Sequence, residues 1–274
     1  MGVTAMGSTA RPSRASRLLL NGFCILVYLF LLAPILVVVG ASLNAGAFLT
    51  FPPQGLSLRW YVVFFNNDVF MKAIRTSLII ATIATCISAV IGSAATLFYA
   101  RYAGRAREWV RLGLLAPLLL PEVLTAIALL FFFYAIGVGT QNMVALLVGH
   151  VLITLPFIFL NVSASLEGFD PAWELAAQSL GAGPWTRFRR ITLPLIKPGV
   201  IGGCLFAFII SFDTFAISFM LKSVGTSTLP IQLFDYLRLN FTPEAAAVST
   251  VSILLTLVVV IVTEKLLDLR IHRF

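Results

Sequence analysis

Two acidic residues, Glu122 and Asp213, lie deep inside long apolar segments of the chain. They are 13 and 14 residues from the starts of their segments, or about 20 Å along a helix, so both reach a similar depth. No Lys or Arg occurs in 112–136 or 199–221, and a pair of carboxylates there would attract cations. Phe212 and Phe215 flank Asp213 and could offer apolar walls or ring faces to an ammonium group. These four residues are therefore predicted to line a path for a cationic solute.

Each of these residues also has a structural explanation. Glu122 follows Pro117 and Pro121, where a helix is expected to break, and an acid there can satisfy freed backbone N–H groups. Asp213 could be protonated or hydrogen-bonded across helices. Phenylalanines in an apolar helix commonly pack against lipid or neighbouring helices. The acids are the stronger candidates. A charged side chain inside a membrane span is energetically costly, so such residues are usually present because the function needs them.

A second pattern lies in the longest polar stretch between apolar segments. Asp170 is a favourable N-cap, and Glu174 falls in the first turn, where the helix dipole favours an acid. Gly181 ends the pattern, which predicts a helix of about ten residues and about 15 Å. Its small residues Ala176 and Ala177 favour docking into a groove of another protein. The alternative is a helix lying flat in the membrane interface.

The remaining candidates form neither a catalytic set nor a metal site. His150 stands alone in an apolar segment, with no second His or Cys near it in sequence. Cys24, Cys86 and Cys204 lie in apolar runs and indicate small packing residues, not a disulfide framework. The sequence contains no phosphate loop of the form G-x-x-x-x-G-K-[ST]. We therefore predict a non-enzymatic chain without a bound metal or cofactor.

The elements that position these residues follow from the composition. Of 274 residues, 59% are hydrophobic and 11% are charged, with a mean hydropathy of +1.00. A soluble domain carries about 25% charged residues, so this chain cannot cover a water-facing surface. Six apolar runs are long enough to cross a bilayer: 18–40, 76–100, 109–136, 143–166, 199–221 and 245–263.

Charge sets the expected orientation, because Lys and Arg favour the cytoplasmic ends of spans. With six spans and both termini inside, the inner segments hold 14 of the 19 Lys and Arg residues and the outer segments hold 5. The net charge of +8 is therefore explained by topology, not by nucleic-acid binding. The first run is too long for a signal peptide and is predicted to be retained. Trp60 and Tyr61, in the first outer segment, are typical of an interfacial aromatic belt.

The polar stretch carries a resemblance to a known family. Ala176-Ala177, three residues, Gly181, nine residues, Ile191, one residue and Leu193-Pro194 resemble the cytoplasmic motif of type I ABC importer permease subunits of the inner membrane. In that motif the acid directly precedes the alanine pair, whereas here Leu175 holds that position and the acid is Glu174.

The resemblance implies an all-α membrane protein of bacterial inner membranes, with six transmembrane helices, cytoplasmic termini and a cytoplasmic coupling helix. It implies a cytoplasmic arm at 1–17, a permease domain at 18–268 with its coupling loop at 167–198, and a cytoplasmic tail at 269–274. It assigns Glu174, Ala176, Ala177 and Gly181 to coupling with an ATP-binding subunit dimer, which would bind the ATP. The other implied partners are membrane lipid, a second, paralogous permease subunit and a periplasmic or lipid-anchored solute-binding protein.

Further stretches are similar to the spermidine/putrescine branch of these permeases. They are Trp60-Tyr61 with Asn66-Asn67-Asp68, Ala100-Arg101-Tyr102, Pro121-Glu122, Leu166-Glu167-Gly168-Phe169-Asp170, Ser211-Phe212-Asp213, Leu229-Pro230 and Thr242-Pro243-Glu244. The expectation is ATP-driven import of a small cationic or amine solute such as a polyamine, by alternating access. The alternatives are another small solute (an opine, an amino acid derivative, a thiamine-like cation or a metal chelate) and a stand-alone secondary transporter.

Overall fold

The computed structural model describes residues 14–140, 142–170, 172–223 and 225–271. Regular structure in these ranges is helical, apart from one isolated β-bridge between Asn44 and Leu56, which confirms the all-α prediction. The helices are α1 (Arg14–Ser42), α2 (Arg59–Phe65), α3 (Asp68–Arg101), α4 (Arg107–Leu119), α5 (Glu122–Ala135), α6 (Met143–Glu167), α7 (Ala172–Ser179), α8 (Pro184–Arg187), α9 (Leu193–Asp213), α10 (Ala216–Leu221), α11 (Leu229–Leu237) and α12 (Glu244–Ile271).

The described helices include five that are long and apolar enough to span a membrane: α1, α3, α6, α12 and the helical stretch Pro184–Asp213. The helical stretches Gly104–Leu119 and Glu122–Ala135 are bent by 105° and give a sixth crossing when counted as one broken span. The six-span prediction is thereby supported. The predicted arm at 1–17 overlaps the start of α1, and residues 1–13 and 272–274 lie outside the described residues.

The chain forms two compact units, and the described part of the first consists of residues 14–62 and 241–250. Its loop is organised by Asn44, which is fully buried. The Asn44 amide donates to Phe48 O (3.0 Å) and Thr50 Oγ1 (2.9 Å), and its carbonyl accepts from the backbone N–H groups of Gly46 (3.1 Å) and Gln54 (2.9 Å). One buried side chain therefore satisfies four polar groups of an irregular segment.

The predicted aromatic belt in this unit is wrong for Trp60. Its side chain is 7% exposed, and Nε1 donates to the carbonyl of Gly46 at 3.2 Å. The hydroxyl of Tyr61 is hydrogen-bonded to Ser42 at 2.6 Å. These rings fix the loop against the end of α1, because a buried indole or phenol needs a partner for its polar atom.

The described part of the second unit comprises 63–240 and 251–271 with the gaps given above, and it holds every predicted site residue. Its centre is α6, which packs against α3 and α9 along its length. One core cluster joins α3, α5, α6 and α10 through Ile80, Ala126, Leu146 and Ile217. A second joins α6 and α9 through Ile158, Val162, Ile196 and Ala207.

Two glycines, Gly199 and Gly203, allow α9 to approach α6 closely. A Cβ at Gly199 would lie 2.4 Å from the carbonyl oxygen of Asn161, and one at Gly203 would lie 3.0 Å from Cα of Ile158. The neighbours are backbone atoms that cannot rotate away. The pair therefore serves helix packing, as small residues four apart commonly do in membranes.

We expect Gly203→Val to destabilise the purified protein by about 1–3 kcal/mol, because the added side chain meets the α6 backbone. The measurement is the thermal unfolding midpoint in detergent. Gly113→Val is the matched control, since a Cβ there meets nothing within 4 Å. Equal midpoints for the two variants would contradict close packing at Gly203.

Candidate functional site

The first predicted acid, Glu122, lies immediately after a break in a spanning segment. Leu120 is extended, with ψ of 144°, and Pro121 has no N–H to continue the helix. Helix α5 therefore starts anew at Glu122, at 105° to the helical stretch that ends with α4. The carboxylate lies in the first turn, where the helix dipole stabilises a negative charge. The predicted break after the prolines is confirmed.

The second predicted acid, Asp213, is the last residue of α9, and the chain breaks directly after it. Thr214 is extended, with φ of −63° and ψ of 124°, and α10 begins at Ala216. The sequence had predicted one continuous span from 199 to 221, so this interruption is a correction. Asp213 is consequently at the negative end of a helix, where the dipole opposes its charge.

The two breaks are in direct contact. The Thr214 hydroxyl donates a hydrogen bond to Oε1 of Glu122. The backbone carbonyl of Thr214 accepts a hydrogen bond from the Ser218 hydroxyl at 3.0 Å. Thr214 and Ser218 are both buried. The break after Asp213 is therefore held to α5 on one side and to α10 on the other.

His150, on α6, completes this network. The Ser218 proton is already donated to Thr214, so the Ser218 oxygen accepts from Nε2–H of His150, 3.1 Å away. Nδ1 of His150 is hydrogen-bonded to the Ser211 hydroxyl at 2.8 Å. The ring thus binds α9 before the break and α10 after it. Both ring nitrogens are engaged by hydroxyl groups, so His150 has a positioning role.

The two acids differ in how far they are satisfied. Both are exposed in the single chain, but Glu122 accepts from Thr214, whereas the carboxylate of Asp213 has no hydrogen-bond or ion-pair partner among the described residues. No Lys or Arg occurs in 112–186 or 198–221. Asp213 is therefore an uncompensated acid in a membrane span, and it presents a site that a cation would stabilise.

The two predicted aromatic residues occupy different surroundings. Phe212 is 3% exposed and stacks on Phe208, with ring centroids 6.1 Å apart. Phe215 is half-buried and contacts Phe219 and Phe234, with centroids 5.1 and 5.0 Å away. Phe212 thus packs within the unit, while Phe215 belongs to an aromatic cluster beside the break.

The predicted coupling helix is α7, and Gly181 ends it as expected. Gly181 has φ of +81°, a left-handed conformation that residues with a side chain rarely adopt. The N–H of Ala182 bonds to the carbonyl of Ala177 (3.0 Å), and the N–H of Gly181 bonds to that of Gln178 (2.9 Å). This is a Schellman cap. At the other end, Oδ1 of Asp170 accepts from the N–H of Ala172 at 2.9 Å; Pro171 lies outside the described residues.

The surface of α7 is apolar and open. Ala176 is exposed and Ala177 is half-buried, while Leu175 is 62% exposed and Leu180 is 89% exposed. Leu175 holds the position at which the family motif carries its acid. An exposed apolar face beside a tight C-cap is a surface suited to a partner groove.

Glu174 does not share this open surface. Its Oε1 lies 2.5 Å from Nη2 of Arg101, the last residue of α3, and also accepts from the hydroxyl of buried Thr192. The same Arg101 nitrogen donates to Thr192 Oγ1 at 3.0 Å. This Arg101–Glu174–Thr192 clamp ties α7 to α3 and to the π-helical turn Phe188–Thr192 that leads into α9. Sequence reasoning missed Arg101 and Thr192 because they are 73 and 18 residues away from Glu174.

Comparison with known proteins shows the family. Residues 88–273 match the family described as "Binding-protein-dependent transport system inner membrane component". The chain belongs to this family of inner-membrane permeases. It is therefore a multi-pass inner-membrane protein, as predicted.

Known relatives of this permease align with most of its sequence. The spermidine/putrescine transport system permease protein PotC of Escherichia coli K12 is 32% identical over 248 residues, which is 90% of this chain and 93% of PotC. The putrescine transport system permease protein PotI of the same strain is 34% identical over 233 residues, 82% of each chain. A bacterial alginate ABC transporter, solved with an alginate-bound periplasmic protein, shares the fold, with a TM-score of 0.69, 17% identity and coverage of 90% and 91%.

We expect Arg101→Gln to loosen the loop at 167–198, because Glu174 loses its charged partner. The Arg101–Glu174 interaction is expected to contribute about 1–2 kcal/mol, given its partial exposure. The measurement is the rate of tryptic cleavage at exposed Arg189 and Arg190, which should rise several-fold in the folded protein.

The control for this prediction is Arg105→Gln, an exposed arginine at the same end of the bundle. The charge-reversed pair Arg101→Glu with Glu174→Arg should restore slow cleavage. Cleavage as slow in Arg101→Gln as in the wild type would refute the clamp.

Proposed function

We propose that this chain is a transmembrane permease subunit of an ATP-driven importer for a small polyamine such as spermidine or putrescine. It works with an ATP-binding subunit dimer, a second, paralogous permease subunit and a solute-binding protein that delivers the solute. ATP binding closes the ATPase dimer, and this movement converts the permease from inward-facing to outward-facing. The chain itself supplies the path and the coupling surface and performs no covalent chemistry.

The observation that carries this proposal is the uncompensated carboxylate of Asp213, at a helix C-terminus next to a second broken span. A passing ammonium group would relieve both the dipole penalty and the cost of charge in the membrane. Glu122, already held by Thr214, supplies negative potential from the opposing break. A polyamine carries several ammonium groups on an apolar chain, which suits two acids at adjoining helix breaks and the Phe215 cluster.

The names of the relatives support the same class of solute. PotC and PotI are spermidine/putrescine and putrescine permeases, and this chain is similar to them over most of their lengths. The charge distribution supports cytoplasmic termini, with 14 of 19 Lys and Arg residues on that side. In this orientation α7 and the Arg101–Glu174–Thr192 clamp face the ATP-binding subunits.

Asp213→Asn should lower polyamine transport at least about tenfold, because the ammonium loses its charged partner inside the membrane. The measurement is uptake into proteoliposomes that contain the whole importer and its loaded binding protein. Basal ATPase activity and subunit assembly should be unchanged, since Asp213 makes no contact with the rest of the described chain's polar network. Glu264→Gln, an exposed acid near the end of α12, is the control. Unchanged uptake in Asp213→Asn would remove this residue from the path.

Ala176→Glu should uncouple ATP hydrolysis from transport, because a charged side chain is placed on the apolar surface offered to the ATPase. We expect ATPase stimulation by the loaded binding protein to fall at least about fivefold. Ala106→Glu, another exposed alanine outside α7, is the matched control. Full stimulation of the ATPase in Ala176→Glu would contradict docking through α7. A separate observation, uptake driven by an ion gradient in the absence of any ATPase, would favour the alternative of a secondary transporter.

A further inference from the structure

A cavity of about 720 Å³ opens at the end of the second unit where α3 and α6 end and α4 begins. Arg101 and Glu174 of the Arg101–Glu174–Thr192 clamp line one side of it, and the cavity extends well beyond them. Its lining combines three arginines, the acids Glu167 and Glu174, and an apolar wall. The transport proposal assigns it no role.

The charges in this cavity are unequal. Arg101 is neutralised by Glu174, but Arg107 and Arg111 have no acidic partner among the described residues. They are four residues apart on α4, and therefore lie on one face of the helix. The guanidinium of Arg107 stacks 4.8 Å from the ring centre of Tyr99, which holds it at the cavity wall. Two neighbouring guanidinium groups form a strong site for a phosphate oxyanion.

The inner part of the cavity is apolar. Phe159 and Leu160 line it, seven to eight residues before the end of α6, or about 10–12 Å below the helix end. Ser163 lies between these levels, and its hydroxyl is shielded from solvent with no hydrogen-bond partner in the described chain. The cavity thus runs from charged groups at the helix ends to hydrocarbon depth, the same sequence of environments as a phospholipid.

We propose that this cavity binds a membrane phospholipid whose headgroup carries both a phosphate and an ammonium, as phosphatidylethanolamine does. The phosphate lies between Arg107 and Arg111, and the upper acyl chain follows Phe159 and Leu160. Glu167, the exposed last residue of α6 and part of the lining, accepts the ammonium. Because the site is next to the clamp, the lipid also supports the end of α3 that holds α7. This inference needs only the permease in a bilayer and is independent of its transported solute.

The test is native mass spectrometry of the purified full-length chain titrated with phosphatidylethanolamine or phosphatidylglycerol. We expect Arg107→Gln with Arg111→Gln to weaken binding of both lipids about tenfold or more. Glu167→Gln should abolish the preference for phosphatidylethanolamine while leaving phosphatidylglycerol bound. Ala164→Phe fills the cavity without changing any charge and should also displace the lipid, so the result does not depend on the arginine variant alone.

The matched control is Lys72→Gln with Arg75→Gln, two exposed cations near the opposite end of α3. It removes the same charge and should leave binding to the cavity intact. Equal weakening in the control, or unchanged binding in both cavity variants, would overturn the proposal. Displacement of the lipid by millimolar inorganic phosphate would show that the arginines take a soluble anion, which also overturns the lipid assignment.

Discussion

The structure depends on one constraint: backbone hydrogen bonds interrupted inside a membrane must be satisfied by the protein, because no water is available there. The span that contains Glu122 and the span that contains Asp213 are both interrupted, and each break frees N–H and C=O groups. Thr214 meets this demand at its own break, where its N–H reaches Ile210 O at 3.0 Å and its carbonyl accepts from Ser218. His150 then fixes Ser218 and Ser211 together. The breaks persist because this network stabilises them.

The same network explains why the two acids are not equivalent. Glu122 begins a helix, accepts from Thr214 and is stabilised by the dipole of α5. Asp213 ends a helix and receives no such support, although it is the immediate neighbour of Thr214. A protein that needed these acids only for folding would gain nothing from an acid at the unfavourable end of α9. The asymmetry shows one acid that contributes to the structure of the breaks, and it is the basis of our proposal that the other binds a ligand.

Much of this arrangement could be predicted from the sequence, and the remainder was hidden for physical reasons. The spans, the break at Pro121 and the C-cap at Gly181 are local features with local signals. No proline or glycine in the sequence signals the break after Asp213. This break is stabilised by the tertiary contacts of Thr214 and Ser218, which a sequence pattern does not reveal. His150 looked like an isolated histidine for the same reason. Glu174 was predicted to take part in coupling to the ATP-binding subunits, and its ion pair with Arg101 could not be predicted because the two residues are 73 positions apart.

Helix α9 connects the two functional regions of the permease. It begins next to Thr192, within the clamp that holds α7, and it ends at Asp213, about 30 Å away. Gly199 and Gly203 let it lie close against α6, so it is guided along its length by a rigid neighbour. Glu174 and Thr192 link α7 to the start of α9, and His150 and Thr214 link the other end of α9 to α6, α10 and α5. In the alternating-access mechanism that we propose, this chain of contacts is the route by which movement of α7 would reach the two breaks and Asp213.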